Sequence, residues 1–222
     1  MQIKGKRAVC ISASNVMGSR KQSTSYLICK KIKEILEDSQ VICDILDLRG
    51  YELNPCIGCG ECFEGKRCIR DQEFNAIYDM LAQADWCFFV SPRYAPIPAK
   101  LCMLLEKTEQ ITYLHGWNSS SYRSELYGKL AGIISYGGEK RALDNDKAMV
   151  NDTIADALDR IQMKVIPFSF KWDTGISLPA RRAERQDGIF PAWEYDWEEI
   201  AESLRIYVEV VIQTARSLYA LK

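Results

Sequence analysis

Asp85–Tyr94 reads DWCFFVSPRY. Its centre is almost unbroken in apolar character and rich in aromatic and β-branched residues. A strand with one wet face alternates polar and apolar residues; a short continuous run instead predicts a strand covered on both faces, as in a parallel sheet. Working outward, similar runs recur at Lys6–Ser14 (KRAVCISAS), Gln40–Gly50 (QVICDILDLRG), Lys129–Gly138 (KLAGIISYGG) and Met163–Trp172 (MKVIPFSFKW). Between them lie segments of helical period. Ser23–Ser39 carries Leu27, Ile28, Ile32, Ile35 and Leu36 with Ser23 or Thr24 as cap, and Asp71 caps a helix over Asp71–Ala84. Further helices are expected over Ala99–Thr112, Asp146–Gln162 and Asp196–Lys222, the last with an apolar stripe of Ile206, Val210, Val211 and Leu218. Five strands alternating with five helices predict an α/β, flavodoxin-like doubly wound five-stranded parallel sheet of order 2-1-3-4-5, with helices on both faces.

The 222 residues suit one domain, with a cysteine-rich insertion at about 53–71 and an irregular segment at about 173–195. Charged residues make up 27% of the chain but nearly cancel, at a net charge of −1, which argues against a nucleic-acid binder. No apolar run reaches the roughly 18–20 residues that span a bilayer, and the N-terminus does not read as a signal peptide. A cytoplasmic protein with reduced thiols is expected, and nine cysteines, an odd number, agree with that. A single histidine, His115, excludes a His-rich metal site; it is expected in the loop after a helix.

In a sheet of this order, ligands bind beyond the carboxyl ends of the strands where the order reverses, so the loops after strands one, three and four are the candidates. The first, Ser12–Ser25 (SASNVMGSRKQSTS), holds hydroxyls and two cations and runs into a helix N-terminus. Ser12, Ser14, Ser19, Arg20, Ser23, Thr24 and Ser25 could cradle a phosphate monoester there. The loop has neither the nucleoside-triphosphate pattern nor the dinucleotide fingerprint, which leaves the terminal phosphate of a mononucleotide such as FMN, or an ordinary polar loop with a helix cap. After strand three, SPRYAPIPAK offers a proline-stiffened backbone, with Ser91, Pro92, Arg93, Tyr94, Ala95, Pro96 and Ile97 able to line a flat ring and Tyr94 to form a wall. After strand four, Ser135, Tyr136, Gly137 and Gly138 let backbone approach such a ring closely. Stiff turns that merely end strands are the plainer alternative.

Asn54–Asp71 (NPCIGCGECFEGKRCIRD) spaces Cys56, Cys59, Cys62 and Cys68 as C-x2-C-x2-C-x5-C. Three cysteines two residues apart let one loop wrap a cube face, and a fourth completes four thiolate ligands. An unmetallated cysteine loop, a zinc site and a redox disulfide stay open from the spacing alone. Cys10, Cys29, Cys43, Cys87 and Cys102 read as small core hydrophobes. Arg181, Arg182 and Arg185 form a basic loop that could hold the extra phosphate of a nicotinamide cofactor, or be simply solvated.

The serine and arginine loop, PCIGCGECFEGKRCIRD, the run AD-x-CFFVSPRYAPIPAKL and SYGG together resemble the NADPH-dependent FMN reductase and iron–sulfur flavoprotein family over roughly residues 6–170. The likeness implies an FMN-dependent oxidoreductase or electron-transfer flavoprotein with NAD(P)H as donor, and a [4Fe–4S] cluster on Cys56, Cys59, Cys62 and Cys68. A cluster-free NAD(P)H-dependent FMN or quinone reductase, or a one-electron carrier docking to a redox partner, are the alternatives. Electron donor and acceptor partners, small molecules or proteins, and a homo-oligomer (dimer or tetramer) are expected. Two departures stand out: the family's G-S-P-R-like phosphate loop is replaced by Ser12-Ala13-Ser14 with Gly18-Ser19-Arg20 following, and its Asp-Arg pair in the third helix by Glu106 and Lys107.

Overall fold

The structure, a computed structural model, describes residues 3–15, 23–184 and 192–220. Strands β1 (Arg7–Ser12), β2 (Ile42–Asp47), β3 (Trp86–Pro92), β4 (Leu130–Glu139) and β5 (Lys164–Val165) form a parallel sheet in the expected order β2-β1-β3-β4-β5. Helix α1 (Thr24–Asp38) starts at Ser23, whose hydroxyl accepts from the Tyr26 amide at 3.3 Å. A single turn, α2 (Cys62–Gly65), precedes α3 (Gln72–Gln83), which Asp71 caps by accepting from the Phe74 amide at 2.9 Å. α4 (Ala99–Asn118) follows β3; α5 (Leu143–Asp146) and α6 (Asp152–Arg160) flank a π-helical turn at Lys147–Asn151. The chain closes with α7 (Trp197–Ala220), and no described helix is long and apolar enough to cross a membrane.

The continuous apolar runs are explained by burial on two sides. Along β3, Cys87 and Phe89 pack with α3, α4 and α6 through Phe74, Leu104 and Ile154, while Trp86, Phe88 and Val90 pack with α1 and α7 through Ile32 and Tyr207. Burying each large side chain contributes roughly 1.5–3 kcal/mol. Exposed ion pairs such as Lys31–Glu34 contribute about 0–1 kcal/mol, so the two apolar layers hold the fold.

Three expectations need correction. The fifth strand does not run from Met163 to Trp172: after Lys164–Val165 pairs with Leu130 and Ala131, the chain leaves the sheet. Pro167 has no N–H for the ladder, and the Phe168 and Ser169 amides turn onto the Trp172 carbonyl at 2.8 and 3.3 Å. The sheet is then resumed by β6 (Ile176–Ala180), parallel to the second half of β4 with Ile134, Ser135 and Tyr136 opposite Ile176, Ser177 and Leu178. The segment expected to be irregular from Asp173 to Tyr195 therefore holds a core strand, plus a small antiparallel pair, β7 (Arg182–Glu184) with β8 (Ala192–Glu194). On α7, Val211 is buried and Val210 and Leu218 pack against the core as expected, but Ile206 is exposed and Leu204, Tyr207 and Val208 are the buried residues of that turn.

Candidate functional site

The ends of β1, β3 and β4 converge at the edge where the chain turns from β2 on one side of β1 to β3 on the other. At β1, Ser12 and Ser25 are fully buried and hydrogen-bond each other at 2.9 Å; Ser25 also meets the Ser23 hydroxyl at 3.2 Å and the hydroxyl of Tyr136. Ser12 lies 3.5 Å from the Asp47 carboxylate. These two hydroxyls are thus engaged in pinning α1 to the sheet. Ser14 is buried with a partner of its own. Ser23 and Thr24 stand half-buried at the positive end of α1, and Ser19 and Arg20 lie outside the described residues.

Three tyrosines close this corner. The Tyr195 ring meets Tyr136 edge-on at 6.2 Å and Trp197 at 5.9 Å, and its hydroxyl bonds Thr24. A Cβ at Gly137 would sit 4.0 Å from the Tyr195 hydroxyl, which places that ring over the glycine loop. Burial raises the Tyr136 phenol and pushes Tyr195 up to about 12, so both stay protonated near neutrality. Tyr94, the third, is 42% exposed.

In the loop after β3, Ala95–Pro96 is cis and the Tyr94 amide donates to the Pro96 carbonyl at 2.8 Å. Ser91, Pro92 and Ile97 are buried, with the Ser91 hydroxyl on the Pro92 carbonyl at 3.0 Å, while Arg93, Tyr94 and Ala95 face outward. Arg93 reaches the buried Asp146 at 3.1 Å and so ties this loop to the one after β4. The other Asp146 oxygen has no hydrogen-bond partner among the described residues and would lie 1.8 Å from a Cβ at Gly138. Glycine is therefore required there for the carboxylate to fit. Ser135 turns away from the cleft and bonds Ser177 of β6 at 2.6 Å. Between Asn15, Tyr94, Ile97 and the α4 residues Cys102, Met103 and Glu106 opens a cleft of about 620 Å3.

Cys56, Cys59, Cys62 and Cys68 all line a second cavity, of about 270 Å3, with Lys107, Gln110 and Ile111 of α4 as its wall. Gly58 and Gly60 take left-handed φ of +66° and +75°, which lets the segment curl. The buried Asp71 anchors it: one oxygen accepts from the Phe74 amide, the other from the Asn54 amide at 3.0 Å and from the Lys107 ammonium. Glu106 accepts from the Cys56 amide at 3.1 Å, so the two residues that replace the family's Asp-Arg pair both hold this segment. Burial raises the Cys62 thiol, and the other three sulfurs raise it further. Among the described residues no three His, Cys, Asp or Glu stand close enough to share one metal ion. Ligands on the corners of a cubane sit on separate irons and stand farther apart than ligands of a single ion, so four thiols around one cavity fit a cluster better than zinc.

The NADPH-dependent FMN reductase family model matches residues 11–173. The chain belongs to that family. An iron–sulfur flavoprotein of Methanocaldococcus jannaschii is 26% identical over 119 residues, 53% of this chain and 56% of that relative, so the chain spans little more than half of the curated relative it matches. Among solved structures, RosB with a bound 8-demethyl-8-formylriboflavin-5'-phosphate intermediate aligns with TM-score 0.64 at 15% identity, over 97% of this chain and 81% of that one. FerB of Paracoccus denitrificans, an NAD(P)H:(acceptor) oxidoreductase, gives 0.54 at 11% (94% and 96% covered), and flavodoxin 1 of Bacillus cereus 0.53 at 12% (93% and 97%). At such identities these show a shared flavodoxin-like fold.

Seen within the FMN reductase family, Tyr195, Asp146, Asp71 and the α4 pair are site-building residues that the sequence did not announce as such. Two expectations change. His115 is not in a loop but in the last turns of α4, stacked between Phe63 at 5.1 Å and Tyr122 at 5.0 Å, where it clamps the cysteine segment. Cys102 is not a core residue but exposed at the cleft; Cys10, Cys29, Cys43 and Cys87 are buried.

Proposed function

We propose that this chain is an FMN-dependent oxidoreductase of the reducing cytoplasm that accepts hydride from NAD(P)H and holds a [4Fe–4S] cluster on Cys56, Cys59, Cys62 and Cys68. Bound FMN would supply the conversion of a two-electron hydride into single electrons. The chain's own residues bind and orient it. The N-terminus of α1 with Ser23 and Thr24 suits the phosphate. Tyr94 suits a wall for the ring, and Gly137 and Gly138 an edge where backbone amides come close. Protonated Tyr136 and Tyr195 close the corner against water. No acid–base side chain is needed for hydride uptake, in keeping with a site built of hydroxyls, prolines and glycines.

The observation that carries the cluster reading is the division of α4: Cys102, Met103 and Glu106 line the cleft, and Lys107, Gln110 and Ile111 line the four-thiol cavity. From Met103 to Gln110 the helix advances about 10 Å, at about 1.5 Å per residue. Ile57 and Ile69, 67% and 59% exposed at the cavity, suit a docking protein acceptor, and Tyr113 and Trp117 on α4 suit a contact between copies in a homo-oligomer.

Protein purified without oxygen is expected to show flavin absorption with about four irons and four sulfides per chain, both lost in Cys62→Ser while flavin remains. Flavin bands without iron would overturn the cluster and leave the cluster-free reductase. That second reading is supported by the match to the NADPH-dependent FMN reductase model, whose description includes no cluster.

A further inference from the structure

We infer that Asp146 sets how tightly the site holds reduced FMN relative to oxidised FMN, by cancelling the charge of Arg93 beside the ring. This rests on FMN as the cofactor. The side chain of Asp146 is 1% exposed and presses against the loop after β4, where a Cβ at Gly138 would meet its two oxygens at 1.8 and 3.3 Å. Oδ1 accepts from Arg93 at 3.1 Å, and Oδ2 has no hydrogen-bond partner among the described residues. A buried carboxylate with half of its accepting capacity unused is costly, and neither a helix cap nor packing calls for it. Both charges stand in the loops that the ring would occupy: Arg93 immediately precedes Tyr94, and Asp146 abuts Gly138.

The flanking charges have partners of their own. Lys147 is held by Asp152 at 3.0 Å and Asp173 at 2.9 Å, and Asp144 pairs with Lys171 at 2.9 Å. The segment that carries Asp146 is fixed as well. A π-helical turn, Lys147–Asn151, follows it directly, a device frequent at functional sites, and the Asn151 side-chain amide donates to the Ile176 carbonyl of β6 at 3.1 Å. Hydride transfer moves two electrons and one proton from NAD(P)H, leaving NAD(P)+ and one added negative charge on the acceptor. A cation beside that acceptor favours the reduced form, and an anion opposes it. Arg93 alone would therefore raise the affinity for reduced FMN; the pair with Asp146 nearly removes that bias. Asp146→Asn keeps the shape and an acceptor for Arg93 but leaves the cation uncompensated.

The whole chain and its Asp146→Asn and Arg93→Gln variants are compared at pH 8, well above the ordinary carboxyl range. Three quantities are read: the unfolding temperature of the flavin-free protein, the Kd for oxidised FMN, and the midpoint potential of bound FMN titrated against a reference dye. Asp146→Asn is expected to gain about tenfold in affinity for reduced over oxidised FMN, which raises the midpoint of a two-electron couple by about 30 mV. Arg93→Gln, which removes the cation instead, should lower it, and decides the matter if Asp146→Asn does not fold. A pair that merely ties the two loops together would, when broken, weaken both forms of FMN equally and leave the potential where it was. Potentials unmoved in both variants, or moved in the same direction, would overturn the assignment and leave the flavin reading standing. A wild-type chain that takes up no FMN would overturn both.

Discussion

Asp71→Ala is expected to lower folding stability by about 3–5 kcal/mol, the usual result of stripping one partner from a buried ion pair. The side chains of Lys107 and Asp71 are only 4% and 2% exposed, so the loss leaves an ammonium with no counter-charge and little access to water. The same carboxylate caps α3 and holds the Asn54 amide, so both ends of the four-cysteine segment come loose together. For a chain of this length the change should appear as a fall in the unfolding temperature of roughly 6–20 °C. Asp71→Asn combined with Lys107→Met keeps an acceptor for one of the two amides and buries no charge, and should lose less. Burial alone would raise the Asp71 carboxyl, but the Lys107 ammonium and the Asn54 and Phe74 amides outweigh it and hold it below the usual carboxylate range. A carboxyl lowered by folding contributes stability above its unfolded value, about 3.9, and loses that contribution as pH falls through the folded one. The pair should therefore hold at neutral pH and fail below about pH 4. Wild-type and Asp71→Asn stabilities that fell in parallel through that range would remove the assignment.

Gly175→Ala should have an effect of similar size by a different route. Gly175 has φ +113° where the chain re-enters the sheet, and an added Cβ would lie 2.1 Å from the backbone oxygen of Ile133. Backbone strain of about 1–3 kcal/mol and overpacking of about 1–3 kcal/mol give roughly 2–6 kcal/mol in all. A backbone atom in the middle of a buried strand cannot yield as a side-chain tip can. The alternative to that strain is for β6 to undock from β4, which would break the Ser135–Ser177 bond and free the strand beneath Tyr136. Urea unfolding should show the loss, and flavin affinity should fall with it. An alanine variant as stable as wild type would mean that β6 is not held against β4 as described.

These two sites also show where the sequence was legible. A strand buried on both faces writes an unbroken apolar run, and DWCFFVSPRY, KRAVCISAS and KLAGIISYGG mark three of the strands and the loops that follow them. MKVIPFSFKW carries the same apolar signature, yet one missing N–H at Pro167 outweighs it, and the sheet is completed by five residues read as irregular. Apolar residues on α7 occupy more than one side, so hydropathy alone did not fix its rotation; packing of Tyr207 against the sheet does. His115 reads as a loop residue when the helical pattern is ended at Thr112, whereas α4 runs on through Gly116 to Asn118. The cysteine spacing pointed to a shared site, and the thiols do line one cavity. That Asp71, Lys107 and Glu106 hold it in place, or that Tyr195 reaches Thr24 across the chain, depends on tertiary contacts that leave no local trace.

The central claim is that the loops after β1, β3 and β4 form one pocket for a flavin with a terminal phosphate. Titrating flavin-free protein with FMN and with riboflavin, followed by quenching of flavin fluorescence, tests it most directly. The account predicts saturation at one FMN per chain, with riboflavin bound about 100-fold or more weakly because it has no group for the α1 N-terminus. No quenching by FMN, or equal affinity for the two, would contradict it.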